Sequence, residues 1–276
     1  MTSKHFFTII GLLAVLSCGQ KSNSSDSEAT GEQLQTERVG YSHDADKKEV
    51  TISVDYPTGN DGTSKAIAEY VSETLGGSYD GDLADGQALA DYYGEELLAD
   101  LNRQHQEDIS DGVKDEDIEG YYHKVAIHKI YETDRLVTLA VTKEIYLNGA
   151  HGTEYTYGQT FRKDDGRRFD AGMMRDLYSE EMCQLRKEGL RQYFLDTGIQ
   201  DSINTDEQLK EFILTEDDVN FLPMPQQPPF VTDDGIVFIY QPYEISFYAA
   251  GAPQFTLTLK KMRPFLKQTA RQMLDL

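Results

Sequence analysis

The chain has no tryptophan, two cysteines in 276 residues, and 26 Lys+Arg against 48 Asp+Glu. Each shortage excludes something. Two cysteines cannot build a disulfide framework or a cysteine-rich metal knuckle. A formal net charge of −22 repels nucleic acid, so nucleic acid is not an expected partner. The same field speeds encounters with a basic partner, and it also simply keeps an exported protein in solution. No apolar run reaches the roughly 20 residues of a membrane-spanning helix; the one at Phe6–Leu16 covers about half that length.

That short run is informative in its setting. Lys4 precedes it, and Val15-Leu16-Ser17-Cys18-Gly19 follows. A basic start, an apolar stretch and a small residue before cysteine give the order of an export signal ending in a bacterial lipobox, at which the Cys18 thiol is diacylated. Residues 1–17 then read as the signal peptide, and the mature chain is one unit more negative, because Lys4 leaves with it. The expected location is the bacterial cell envelope, outside the cytoplasm, on a membrane held through the Cys18 lipid. Residues 18–36 are rich in Ser, Gly, Asp and Glu, the composition of a flexible tether spanning roughly 20–25 Å.

The folded body is expected from about Arg38. In Glu49–Tyr56, Val50, Ile52, Val54 and Tyr56 alternate with polar residues, the pattern of a half-buried strand. Ile67, Val71 and Leu75 recur at helical spacing before Gly76-Gly77, and a second helix is predicted over about Gln87–Gln104. Acidic residues from Glu107 to Glu119 read as a solvated loop. Three alternating segments follow, Tyr121–Tyr131, Arg135–Leu147 and Thr153–Phe161. They are joined by Glu132-Thr133-Asp134 and by Asn148-Gly149-Ala150-His151-Gly152, short enough for hairpins. Further along come a long helix (about Ser179–Leu195), a short one (Thr205–Leu214) with a capping-box spacing from Thr205 to Gln208, and a proline-rich extended segment, Pro223–Pro229. The chain ends with an apolar central strand (Ile236–Tyr240), a last strand from Phe255 and a terminal helix from Met262. Strands and helices come in blocks, so the predicted class is α+β: an antiparallel sheet meander packed against several helices.

Catalytic signals are sparse. His123 and His128 lie five apart on one predicted strand and point to opposite faces, so they cannot share a metal. No HExxH spacing, phosphate-cradling glycine loop or nucleophile elbow is present. Cys183 stands beside two glutamates, which oppose thiolate formation, and reads as a small core residue. His151, set among glycines, is open to two readings: a tight hairpin whose His caps a backbone group, or a ligand-facing His with nearby acids as an active site. The chain is expected to be non-enzymatic and to carry no cofactor and no metal. Seventeen tyrosines include a cluster at Tyr240–Gly251; Tyr243, Phe247 and Tyr248 suit an interface or a core equally well.

Tyr146-Leu147-Asn148-Gly149-Ala150-His151-Gly152, the Lys163-Asp164-Asp165-Gly166 turn, Asp176-Leu177-Tyr178, Phe230–Gly235, and Pro242-Tyr243-Glu244-Ile245 through Tyr248-Ala249-Ala250-Gly251 occur in an order that resembles the RsiV-like extracytoplasmic domain family. These domains occur in anti-sigma factors and beside a peptidoglycan deacetylase domain, as in PdaC. The resemblance covers about residues 120–265, within a C-terminal part taken as 119–276. Residues 37–118 look like the companion N-terminal portion. The resemblance implies binding rather than catalysis, with a lysozyme-like basic protein or cell-wall glycan as partner. Asn148, His151, Pro242, Tyr243, Phe247 and Tyr248 are the partner-binding residues it points to. The family more often has Gly at the place of Asn148 and Ala-Pro at the place of Ser246-Phe247. The second functional reading is an enzyme or accessory subunit acting on peptidoglycan or polysaccharide.

Overall fold

Two adjacent residues with positive φ, Asp46 (52°) and Lys47 (64°), close a two-residue hairpin between β1 (Thr36–Ala45) and β2 (Lys48–Pro57). Paired positive φ values match the right-handed twist of the strands they join. The computed structural model describes residues 33–214 and 221–276. Cys18, the predicted signal and most of the predicted tether therefore lie outside the described residues.

From β2 the chain passes into α1 (Gly62–Leu75), whose Asp61 N-cap accepts from Thr63 N and Ser64 N, and α2 (Gly86–Ser110), capped by Asp85. It then returns as β3 (Tyr121–Glu132), β4 (Leu136–Leu147) and β5 (Thr153–Arg162). The five strands form one sheet in sequence order. The β2–β3 pair is parallel and the others antiparallel. The α+β class is as expected, but the sheet is mixed: the helical pair carries the chain back to the end where β2 began, which forces the parallel pairing. One face of the sheet packs on α1 and α2 through Val54, Ile127, Val141 and Phe161 against Ile67, Val71, Leu89 and Tyr93.

The second half is built on α3 (Glu180–Asp196) and α4 (Asp206–Lys210), the latter with its capping box from Thr205 to Gln208. A three-stranded antiparallel sheet follows: β6 (Phe230–Thr232), β7 (Gly235–Ile239) and β8 (Gln254–Leu257), with β7 central. Two short helices, α5 (Leu259–Met262) and α6 (Gln268–Met273), end the chain. Its core gathers Phe169, Met182, Leu190, Phe194, Phe238 and Tyr240. Cys183 is buried there as predicted, at 2% exposure.

Several predicted bounds move. Leu34 is buried in the first core and β1 starts at Thr36, so the ordered body begins ahead of Arg38 and cuts into the predicted 18–36 tether. β1 is an edge strand in which Val39 alone is fully buried, so its alternation is faint. α2 continues to Ser110, into the predicted loop. The predicted terminal helix from Met262 is broken at Arg263–Phe265, where Pro264 cannot continue the hydrogen-bond ladder.

The two sheets meet at a buried hydroxyl pair. Thr138 Oγ1 donates to Val231 O (2.7 Å), and Thr160 Oγ1 accepts from Val231 N (2.8 Å) while lying 2.7 Å from Thr138 Oγ1. Gly158 makes this approach possible, since a Cβ there would meet the Phe230 ring at 2.6 Å.

Candidate functional site

The β4–β5 connection, Asn148 to Gly152, is a tight hairpin. Asn148 has φ +56°, a conformation that glycine and asparagine tolerate. Its Oδ1 also accepts from Glu119 N at 3.1 Å. Gly152 lies against Tyr122, whose hydroxyl a Cβ would meet at 2.4 Å.

The passage after β7 is drawn to the same end of the sheet by Gln241. Its amide accepts from Thr156 N (3.2 Å) and donates to Thr156 O (2.9 Å), so it occupies the open edge of β5 as a strand would. A four-residue turn follows, closed by Glu244 N donating to Gln241 O at 3.0 Å. Pro242 holds its second place and Tyr243 its third, with φ +66°. Proline suits the second place of a type II turn, but the third normally takes glycine or asparagine. A tyrosine there is held against its backbone preference. The Glu244 carboxylate fastens the turn by accepting from Gln241 N (2.7 Å) and Gln226 N (2.6 Å).

The two loops then touch. The His151 ring stacks on Tyr248 with centroids 3.7 Å apart and planes inclined by 21°. Tyr248 Oη donates to Gly152 O. Tyr243 stacks on Tyr248 from 5.5 Å. Tyr193 Oη donates to Ala250 O at 2.6 Å, which pins the far end of the passage to α3. Tyr243 is 56% exposed and Phe247 36%, whereas Tyr240 and Ile245 are buried. The aromatic cluster therefore divides: Tyr240 belongs to the core, Tyr248 is the half-buried joint, and Tyr243 and Phe247 face solvent. His151 is exposed, with Nδ1 3.0 Å from Gly152 O. Among the described residues no carboxylate forms an ion pair with it.

Sequence reasoning gave no site role to Gln241, Tyr122 or Tyr146. Tyr122 and Tyr146 are cross-strand partners on the sheet face turned away from the helices, with ring centroids 5.5 Å apart. They extend the ring cluster from the hairpin onto the sheet. Lys124 lies over Tyr122 at 5.2 Å and pairs with Glu49 at 2.8 Å. Glu144 is flanked in register by Lys124 and Glu154. The signal for this surface was the even-numbered register of β3 and β4, which becomes visible only once the strands are aligned.

His123 and His128 do point to opposite faces. His128 approaches Asp55 (3.5 Å), while burial beside Lys143 holds the His123 pKa down at about 4. Among the described residues no group of three or more His, Cys, Asp or Glu is placed to hold a metal ion. No described helix is long and apolar enough to cross a membrane.

Comparison with known proteins bears on the fold. No curated protein matches the chain. A solved DUF3298-family protein from Bacteroides fragilis superposes with a TM-score of 0.68 at 18% identity, covering 88% of this chain and 97% of the other. A second, from Pseudomonas aeruginosa, superposes with a TM-score of 0.55 at 14% identity, covering 86% and 96%. Residues 175–260, which include α3, the three-stranded sheet and the Gln241–Gly251 passage, match the family described as "Protein of unknown function (DUF3298)".

Proposed function

We propose that this chain is a non-enzymatic binding module of the bacterial envelope, anchored by lipid on Cys18, whose ring-lined edge engages a basic, lysozyme-like protein. The observation that carries the reading is the His151–Tyr248 stack. It joins two rigidly held loops into one edge and leaves the Tyr243 and Phe247 side chains outside the core. Exposed aromatic anchors on fixed loops are the usual energetic centre of a protein interface. The backbone of Tyr243, held at a positive φ, supports the same reading, because such conformations collect at recognition sites. The net charge of −22 suits a cationic partner, as does the motif order that resembles RsiV-like domains. Against the second reading, an enzyme centred on His151, no carboxylate among the described residues forms an ion pair with that ring.

The test is a binding titration of the full chain in detergent micelles with a basic lysozyme. Affinity should fall as salt rises from roughly 50 to 200 mM, over which the Debye length shortens to below about 10 Å. Tyr243→Ala and Phe247→Ala should each weaken binding about tenfold or more. Glu37→Gln, on the distant edge strand, should change it less than about twofold. Absence of lysozyme binding with retention of soluble wall glycan, insensitive to salt, would replace the protein partner with a sugar.

A further inference from the structure

Four strand edges are available in the two sheets, and three of them carry a side chain bonded to outward backbone groups. On β1, Gly40 turns its backbone groups outward; the Gln87 amide donates to Gly40 O at 2.8 Å and accepts from Gly40 N at 3.4 Å. On β5, Gln241 does the same to Thr156. On β6, Thr138 and Thr160 hold both groups of Val231. Blocking an edge in this way prevents another chain from pairing with it.

The fourth edge, β8, is different. Tyr240 N donates to Pro253 O, and the register pairs Phe238 with Phe255 and Ile236 with Leu257. By the alternation of an antiparallel ladder, Gln254 and Thr256 turn their N–H and C=O outward. Both residues are exposed, and among the described residues no hydrogen bond reaches those groups. The edge opens into a groove of about 580 Å³ whose other wall is α3 from Leu185 to Asp196, with Thr197 just beyond its end. Gly189 lets the helix seat close to the strand, since a Cβ there would meet Phe255 at 2.3 Å.

We infer that this groove is a second binding site, independent of the ring-lined edge, which takes an extended peptide segment as an added strand on β8. The chemistry of the segment follows from the helical wall. Glu188 and Asp196 stand on it eight residues apart, about 12 Å along the axis. Alternate side chains of an extended segment at i and i+4 are separated by about 13 Å. Between the two acids the wall is Gly189, the half-buried Tyr193 and Gln192, whose side-chain amide donates to Asp196 at 2.6 Å and would exchange that bond for a partner's cation. The occupant is therefore a segment of a partner protein with basic residues at i and i+4 and an apolar one at i+2. Lys261 meets Glu188 only at 3.9 Å, with both side chains more than half exposed, so that ion pair yields readily to a cation from the partner. Backbone bonds to Gln254 and Thr256 supply the anchoring, and the acids supply the selection.

The probe is the fluorescently labelled pentapeptide Lys-Thr-Val-Thr-Lys, blocked at both ends, titrated into the full chain by anisotropy. Two further forms carry backbone N-methyl groups, one at residues 2 and 4 and the other at residues 1, 3 and 5. Binding should survive one methylation pattern and weaken about tenfold or more in the other, because only one set of amides faces β8. Hydrogen exchange should slow at Gln254 and Thr256 in the complex. Thr256→Pro removes the outward N–H while leaving the ladder to β7 intact, and should weaken the peptide by a similar factor with an unchanged circular dichroism spectrum. Glu188→Lys should weaken it further. Should Thr256→Pro not fold, the two methylated forms still decide. Equal binding of both, protection at another place, or pairing of β8 with a second copy of the chain in place of the peptide would overturn the inference. None of these outcomes depends on whether the ring-lined edge binds a lysozyme.

Discussion

The His151 ring lies flat on Tyr248, 3.7 Å from centroid to centroid, and the Tyr248 hydroxyl donates to the carbonyl of the next residue, Gly152. One side chain thus holds both the ring and the backbone of a loop 96 residues away in sequence. Tyr248→Phe keeps the stack and removes the hydrogen bond. It should cost about 1 kcal/mol in urea denaturation and speed amide exchange across Gly149–Gly152. Unchanged exchange there would mean that the hairpin is held by other contacts.

Tyr243 separates stability from recognition. Its positive φ costs a non-glycine residue about 1–2 kcal/mol, offset in part by the greater unfolded-state freedom of glycine. Tyr243→Gly should therefore leave the melting temperature at or slightly above that of the parent while lowering affinity for a basic lysozyme about tenfold or more. Loss of stability in this variant would show that the ring serves the fold.

Much of the body could be read from periodicity alone, because β2 and β3 bury one face and alternate, and α1 to α3 carry clear apolar stripes; β4 and β5 are instead buried on both faces at 136–139 and 158–161, where the second sheet covers them. β1 was faint because an edge strand buries little, and Leu34 stood in a stretch whose composition resembled a tether. The parallel β2–β3 pair could not be foreseen, since strand direction is set by where α1 and α2 return the chain. In the site, the loops and their rings were legible as motifs. Whether Tyr240 or Tyr243 faces solvent was not, because that depends on one turn and the φ it imposes. The closing of strand edges by Gln87, Gln241 and the Thr138–Thr160 pair is long-range and has no local signature.

His123 gives the fold an acid-sensitive point. It faces the helices beside Lys143 and Asp100, and burial lowers its pKa from 6.5 to about 4. A histidine depressed in the folded state takes up a proton more readily when unfolded. Its contribution is thus fully present above pH 6.5 and is lost as pH falls from there toward 4. The loss should approach about 2–3 kcal/mol. Urea midpoints measured between pH 6.5 and 4.5 should fall in the parent and fall markedly less in His123→Gln. Parallel slopes in the two proteins would assign the acid sensitivity elsewhere.

The proposed membrane attachment rests on Cys18. Cys18→Ser should abolish acylation and release the protein into the soluble fraction after a high-salt wash. Full retention with membranes would contradict the lipid anchor.

The most direct measurement is hydrogen exchange of the full chain with and without a basic lysozyme at low salt. The account predicts slowed exchange in residues 148–152 and 242–251, absent in Tyr243→Ala, with little change on β1. Protection confined to any other surface, or none at saturating lysozyme, would contradict it.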